Sequence, residues 1–543
     1  MKNIFLNVLL FMLFGILLSG CLGGGSGSDP TPIPTPTPST TITLGAGCSG
    51  DYCGSSGNNY TGNGIGIWHA KNSVASSAKL NVELSNVANR EITIVFTNEG
   101  DANVVLPKIN VDTSLNSIIS DSVTEDDKKI VYSEKRLSNE ELIRLYQQSL
   151  LSNEQPLKSI YAAVYNVNDE KEWIIEPYEK VEKRQATLIK QVSSDGRIIN
   201  FWVENDEYKA GKITSTILSN VVNKFLYAYP KVVELAGEPW GDHKYPNEAI
   251  PSNQQLNIVF ANFDKNNKPY GMAGYFFNLN NLIAPEYSAR SNQALVVFVD
   301  TETFYLDGAA GFNAGLSSTL HELTHAINFY NRYIDITDPF DMFLEEFSAI
   351  LTEDLFSSLI HDNSIYNQGI SRYYLWLKNS SNFNIDFANW VYGDVNSYNT
   401  AGSFGAYLLR QHGVNFYKKL FQTHGNPSAT TLLKNSLNIL DKTIKNFDSK
   451  GLEGALQHWG AGISLLPPNQ SPKGYGYPSL KQDGFELPYI DSESYRSTRK
   501  LPTSSPATLN AHAHFPFLRK TSQNIFKESF TVPRNVSVTV IVK

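Results

Sequence analysis

The sequence predicts an α+β fold: an N-terminal β-sandwich-like domain, then a sheet, then a helical lobe. Three observations carry this. Apolar and polar residues alternate from Leu80 to Asp112, the period of a half-buried strand. Two apolar runs, Leu256–Phe260 and Ala294–Val299, read as buried strands. After residue 315 the pattern turns helical until about 460. Strands and helices segregated along the chain give the α+β class.

The chain has 543 residues, too many for one ordinary domain. Hydrophobic residues make up 41% and aromatics 12%, enough for real cores. The net charge is -8 with no basic block, which argues against nucleic-acid binding. With only three cysteines, the chain is neither a disulfide scaffold nor a multi-Cys metal protein.

A short charged start, Met1-Lys2-Asn3, precedes an apolar stretch from Ile4 to Leu18 and reads as a secretion signal over 1–20. It ends Leu18-Ser19-Gly20-Cys21, which resembles the bacterial lipobox. The resemblance implies that Cys21 is acylated and anchors the chain to a membrane, outside the cytoplasm. Residues 21–40 are Gly/Ser and then alternating Thr-Pro, a flexible and then extended tether. At ~3 Å per residue it would reach roughly 50 Å. Export allows disulfides, and with Cys21 lipidated, Cys48 and Cys53 remain to pair around Ser49-Gly50-Asp51-Tyr52.

Residues 41–130 read as the β-rich domain, with strands at Leu80–Leu84, Ile92–Phe96 and Asn103–Leu106. Gly62-Asn63-Gly64-Ile65-Gly66 is a turn and not a dinucleotide loop, since no strand precedes it and no helix follows. The segment 131–196 reads as a connection. Ser138-Asn139-Glu140-Glu141 is a capping box opening a helix to about Leu151. A hairpin is expected at 186–203 around Ser194-Asp195-Gly196, and a helix at roughly 211–227. A catalytic domain is placed at 197–460, followed by a Pro/Ser/Tyr-rich tail at 461–543 with a closing strand, Val536–Val542. His412-Gly413 reads as a helix end, and His512 and His514 as structural.

His321-Glu322-Leu323-Thr324-His325 carries the chemistry. At 100° per residue, Leu316, Leu320, Leu323, Ile327 and Tyr330 form one stripe, and His321 and His325 fall opposite it, one turn apart. Two imidazoles so placed can ligate one zinc ion, and Glu322 lies beside them, where it can take a proton from water. A third ligand is needed. Asp338-Pro339 is expected to open a further helix, with an apolar stripe of Phe340, Phe343, Leu344, Phe347 and Leu351. Glu345 and Glu346 both flank that stripe, and helical phase does not choose between them.

His321 to Tyr330, followed by Phe343-Leu344-Glu345-Glu346-Phe347-Ser348-Ala349, resembles the hyicolysin-like bacterial metallopeptidases and the broader gluzincin pattern of thermolysin and aminopeptidase N. The resemblance implies a thermolysin-like catalytic domain, with a twisted sheet, an active-site helix and a helical lobe. It implies one zinc ion per chain on His321, His325 and Glu346, with Glu345 where the family has Asn. It also implies that Tyr398, in Tyr398-Asn399-Thr400-Ala401-Gly402-Ser403-Phe404, donates to the reaction's oxyanion, with Tyr407 as the alternative. Gly274, Tyr275 and Phe276 are the candidate edge strand for substrate. Aminopeptidases of this pattern hold the substrate amine with a Glu in Gly-x-Met-Glu-Asn. Gly271-Met272-Ala273-Gly274 has none, so internal cleavage of protein or peptide substrates is expected. The reading from another class is a surface adhesin or scaffold lipoprotein with a non-catalytic lobe; the intact Glu322 argues against it.

Overall fold

The computed structural model describes residues 40–115, 130–131, 163–246, 248–283, 290–361, 367–391, 393–425, 428–443 and 451–543. Cys21, the tether and the helix expected after Ser138 lie outside the described residues. No helix among the described residues is long and apolar enough to cross a membrane.

In chain order the principal strands are β1 (Gly66–Lys71), β2 (Ser77–Ser85), β3 (Glu91–Asn98), β4 (Glu170–Ile175), β5 (Glu182–Ser194) and β6 (Arg197–Glu204). There follow β7 (Leu256–Ala261), β8 (Gly274–Phe276), β9 (Val296–Asp300), β10 (His514–Lys520), β11 (Ile525–Pro533) and β12 (Val536–Val542). The principal helices are α1 (Ser215–Ala236), α2 (Gly308–Asn328), α3 (Met342–Ile360), α4 (Gln368–Lys378), α5 (Val395–Gln422), α6 (Ala429–Thr443) and α7 (Gly451–Ala461).

The sandwich is built from both ends of the chain. One sheet is ordered 45–46, β1, β12, β3, β10, and β12 pairs antiparallel with β1 on one side and β3 on the other. In the second sheet β11 pairs antiparallel with β2 along its whole length. Val536, Val538, Val540 and Val542 face the sandwich core with Phe96, Phe515, Phe517 and Phe530. Ile541 on the opposite face packs into the main core, as do Ile67 and Val95. The expected Pro/Ser/Tyr-rich tail at 461–543 with its terminal strand, and the β-rich domain expected at 41–130, thus share one sandwich. A central strand needs partners on both edges, and β12 finds them about 440–470 residues back, a pairing that local pattern does not carry. Cys48 and Cys53 are joined by a disulfide.

The main body is a six-stranded mixed sheet, ordered β4-β5-β6-β7-β9-β8, with helices behind it. The hairpin β5–β6 turns at Asp195 and Gly196, both with positive φ, as a two-residue type I′ turn requires. The expected boundary at 197 therefore falls inside this hairpin, and the "connection" 131–196 supplies β4 and β5. Helix α1 starts later and runs longer than expected, because Thr214 caps it by accepting from Ile217 N. Helix α3 is capped by Asp341, which accepts from Leu344 N at 2.9 Å. Asp338, the expected cap, instead faces Arg332 and accepts from Gly425 N. Gly413, at φ 72, interrupts α5 where a helix end was expected.

Among the described residues, strand β8 is the edge of the sheet and pairs antiparallel with β9 on one side only. Helix α2 lies against β8 and β9 and packs on α3. Gly315 lets α2 approach Phe304: a Cβ there would meet its ring at 2.5 Å. The turns bearing the His pair are buried on all sides, not on one stripe.

The closing strand sets a stability test. Val540 is fully buried in β12, so Val540→Asp should lower unfolding free energy by more than ~3 kcal/mol, because it buries an unpaired charge. Denaturant titration read by near-UV circular dichroism measures this, and an unchanged midpoint would contradict the central placement of β12.

Candidate metal centre

Successive turns of α2 stack His321 and His325 with ring centroids 4.8 Å apart. Helix α3 crosses behind them and brings in Glu346. His321 Nε2 lies 3.3 Å from one Glu346 oxygen, and His325 Nε2 lies 3.8 Å from the other. One ligand atom from each of the three residues falls within 4.8 Å of the others, and all three are buried. Among the described residues, neither Glu346 oxygen accepts a hydrogen bond of good geometry. A fully buried carboxylate in that state calls for a cation, and two imidazole nitrogens with one carboxylate oxygen form a donor set that suits a transition metal. The residues present therefore fit a metal ion.

The surrounding residues orient this set. His321 Nδ1 bonds Glu353 Oε1 at 2.8 Å, which turns Nε2 toward Glu346. Glu353 was not picked out in the sequence. The available signal was its spacing: it lies seven residues after Glu346, two helical turns, on the same face. Glu345 does not join the group. It faces His325 Nδ1 at 3.4 Å and accepts from Asn328 Nδ2 at 2.9 Å. The group that could hold a metal thus includes Glu346, and Glu345 lies beside the second imidazole.

Glu322 is buried between α2 and the edge strand, where its Oε2 accepts the Phe276 N–H at 2.8 Å. Burial pushes its carboxyl up to about 7; His321 and His325 pull against this and Glu346 adds to it. Burial also raises Glu346, but the His321 imidazole, the His325 charge and the Tyr398 hydroxyl outweigh it and hold the carboxylate below its usual range. His321 is lowered by burial, yet its two carboxylate partners carry it up to about 10.

The remaining expected residues divide. Gly274 faces the site: a Cβ there would stand 2.9 Å from Glu322 Cγ. Phe276 contributes its backbone. Tyr275 turns away, stacking on Phe298 at 4.9 Å and accepting from Glu176 N, so its side chain is core and not a substrate contact. Tyr398 is buried at the Glu346 carboxylate and packs edge-on to Trp390 at 4.7 Å. Tyr407 is remote from this group in role, donating to Gly474 O. His512 bonds Asp386 and Asp101, and His514 bonds Thr97, both structural contacts.

Two metal-binding outcomes follow. Glu346→Ala should lose bound metal far more than Glu345→Ala, measured by elemental analysis after dialysis. Glu353→Gln should weaken metal affinity about 10–100-fold while the fold persists, measured by competition with a chelating dye; unchanged affinity would leave Glu353 no orienting role.

Comparison with known proteins adds to this geometry. A domain of unknown function (DUF8571) matches residues 46–111, and no curated protein matches. Among solved structures, the chain is similar to an aminopeptidase N family protein from Idiomarina loihiensis. That likeness is 12% identical, covers 49% of this chain and 45% of the other, and has a TM-score of 0.26, too low to carry an argument. The peptidase M30 family profile matches residues 180–543, more than half of the chain and beyond the 197–460 expected, taking in the strands that close the sandwich. The chain belongs to the peptidase M30 family, a family of metallopeptidases.

Proposed function

We propose that this peptidase is a zinc-dependent endopeptidase that hydrolyses internal peptide bonds of extended polypeptides. The observation that carries the reading is the buried His321–His325–Glu346 group with Glu322 one position along the same helix. These three residues would hold one zinc ion, which supplies Lewis acidity and a bound water of lowered pKa. Glu322 takes the proton of the attacking water and passes it to the leaving amine. Burial between α2 and the edge strand raises the carboxyl's proton affinity, which favours taking up that proton. Tyr398, at the Glu346 carboxylate, offers its hydroxyl to the oxygen that gains charge. The free side of β8 offers backbone groups to a substrate lying in extended form.

Internal cleavage rests on Gly271-Met272-Ala273-Gly274, which has no carboxylate where the aminopeptidase pattern holds an ammonium. We also propose that the chain is exported and held on a membrane through lipid on Cys21. Leu18-Ser19-Gly20-Cys21 and the Thr-Pro tether support this. Fatty-acid labelling of wild type and Cys21→Ala checks it, and labelling that survives the substitution rejects the anchor.

Glu322→Gln should retain zinc and lose nearly all casein hydrolysis, since it removes the base and leaves the ligands. Cleavage near the wild-type rate would end the proposed mechanism. Gly274→Ala should also depress kcat, because its Cβ would crowd Glu322 and stand 3.1 Å from Phe298 O. Peptides with free and acetylated N-termini should be cut alike. Release of single residues in order, from free N-termini only, would make the enzyme an aminopeptidase.

A further inference from the structure

Two donors, the Arg372 guanidinium and the Trp390 indole N–H, stand against the Tyr398 ring. Arg372, on α4, is 7% exposed and lies against the first turns of α5. Its guanidinium sits 5.7 Å over the Tyr398 ring, and its Nη1 donates to Asn399 Oδ1 at 3.4 Å, at the limit of a hydrogen bond. No carboxylate lies within salt-bridge distance of it among the described residues. The other buried arginines differ: Arg410 pairs with Asp354 at 2.7 Å, Arg499 donates to Ile463 O and lies 3.7 Å from Glu91, and Arg332 donates to two carbonyls and faces Asp338. The approach of Arg372 is built into α5, because a Cβ on Gly402 would stand 2.5 Å from Arg372 Cγ.

A second donor stands on the same ring. Trp390 packs edge-on to Tyr398, and its buried Nε1–H has no acceptor among the described residues. Buried donors are ordinarily paired, and a guanidinium without a counter-charge is the costliest kind to leave unmade. Both donors flank the tyrosine that adjoins Glu346.

We infer that Arg372 reads a carboxylate on the substrate, so that the enzyme prefers peptides carrying an acidic group beside the cleaved bond. This deepens the peptidase reading and rests on it. A planar guanidinium suits a carboxylate by two parallel hydrogen bonds. The group can be an Asp or Glu side chain or the C-terminal carboxylate of a short peptide; the chemistry is shared.

The test uses zinc-loaded full-length protein and peptides of one sequence, with Glu or Gln placed in turn at each position flanking the cleaved bond. Each is made with a free or an amidated C-terminus, which separates the two sources. Wild type should favour the acidic member of one pair by about tenfold or more in kcat/KM. In Arg372→Gln the ratio should fall to about one, and Arg372→Lys should restore part of it as a point charge. Equal cleavage of every pair by wild type, or a preference that survives Arg372→Gln, overturns the inference. So does an equal loss on both members of the pair with zinc content and melting temperature intact, since that is the signature of a residue that merely supports Tyr398. Fluorescence anisotropy of the same peptides reads the discrimination without turnover. A protein that binds with acid preference but cuts nothing would refute the peptidase reading and leave the carboxylate subsite standing.

Discussion

A carboxylate can be buried in a helix bundle only where a cation or several donors meet it, and most of this site follows from that constraint. Helix α3 carries Glu345, Glu346 and Glu353, all buried, toward a helix that supplies two imidazoles. The pairing fixes the separation and phase of the two helices. It also sets the chemistry of what lies beside them, since Glu322 feels both imidazoles and Glu346 at once. Replacing any one of these groups by an apolar residue would leave its partners as uncompensated buried charges.

Much of the centre was legible in the sequence because its spacing is local. His321, Glu322 and His325 lie within one helical turn, and Glu346 lies on the next helix along the chain. What was not legible depended on how that helix rotates. Glu345 and Glu346 are 100° apart, and the apolar stripe of α3 is too broad to choose between them. Only the packing of α3 on α2 does so. The cap was misplaced for a similar reason: Asp338-Pro339 has the composition of a helix start, but the Arg332 guanidinium and the Gly425 N–H claim Asp338 first. Tyr275 shows the limit of an edge-strand argument. The strand was found, but alternation across β8 sends that side chain into the core, while Gly274 lies against Glu322 and Phe276 contributes its N–H.

The sheet positions the centre through backbone more than through side chains. Phe276 holds Glu322 by its N–H, and Gly274 leaves room for the carboxylate stem. Because the contact is made by main chain, its geometry follows the register of β8 on β9 and is indifferent to the identity of residue 276. The sandwich adds a rigid backing. Its central strand is buried on both faces, one within the sandwich and one against the main core.

The closure of the sandwich by strands from the far end of the chain has a consequence for biosynthesis. Asn72 donates to Val532 O across 460 residues. Strands β1, β2 and β3 thus wait for more than 400 further residues to be made before they find these partners. Contacts so distant in sequence are slow to form, and unpaired strand edges recruit other chains in the interval. If the chain crosses a membrane as it is made, β1, β2 and β3 would arrive first on the far side with open edges. A holding factor, or rapid passage of the remainder, would then set the yield of folded protein.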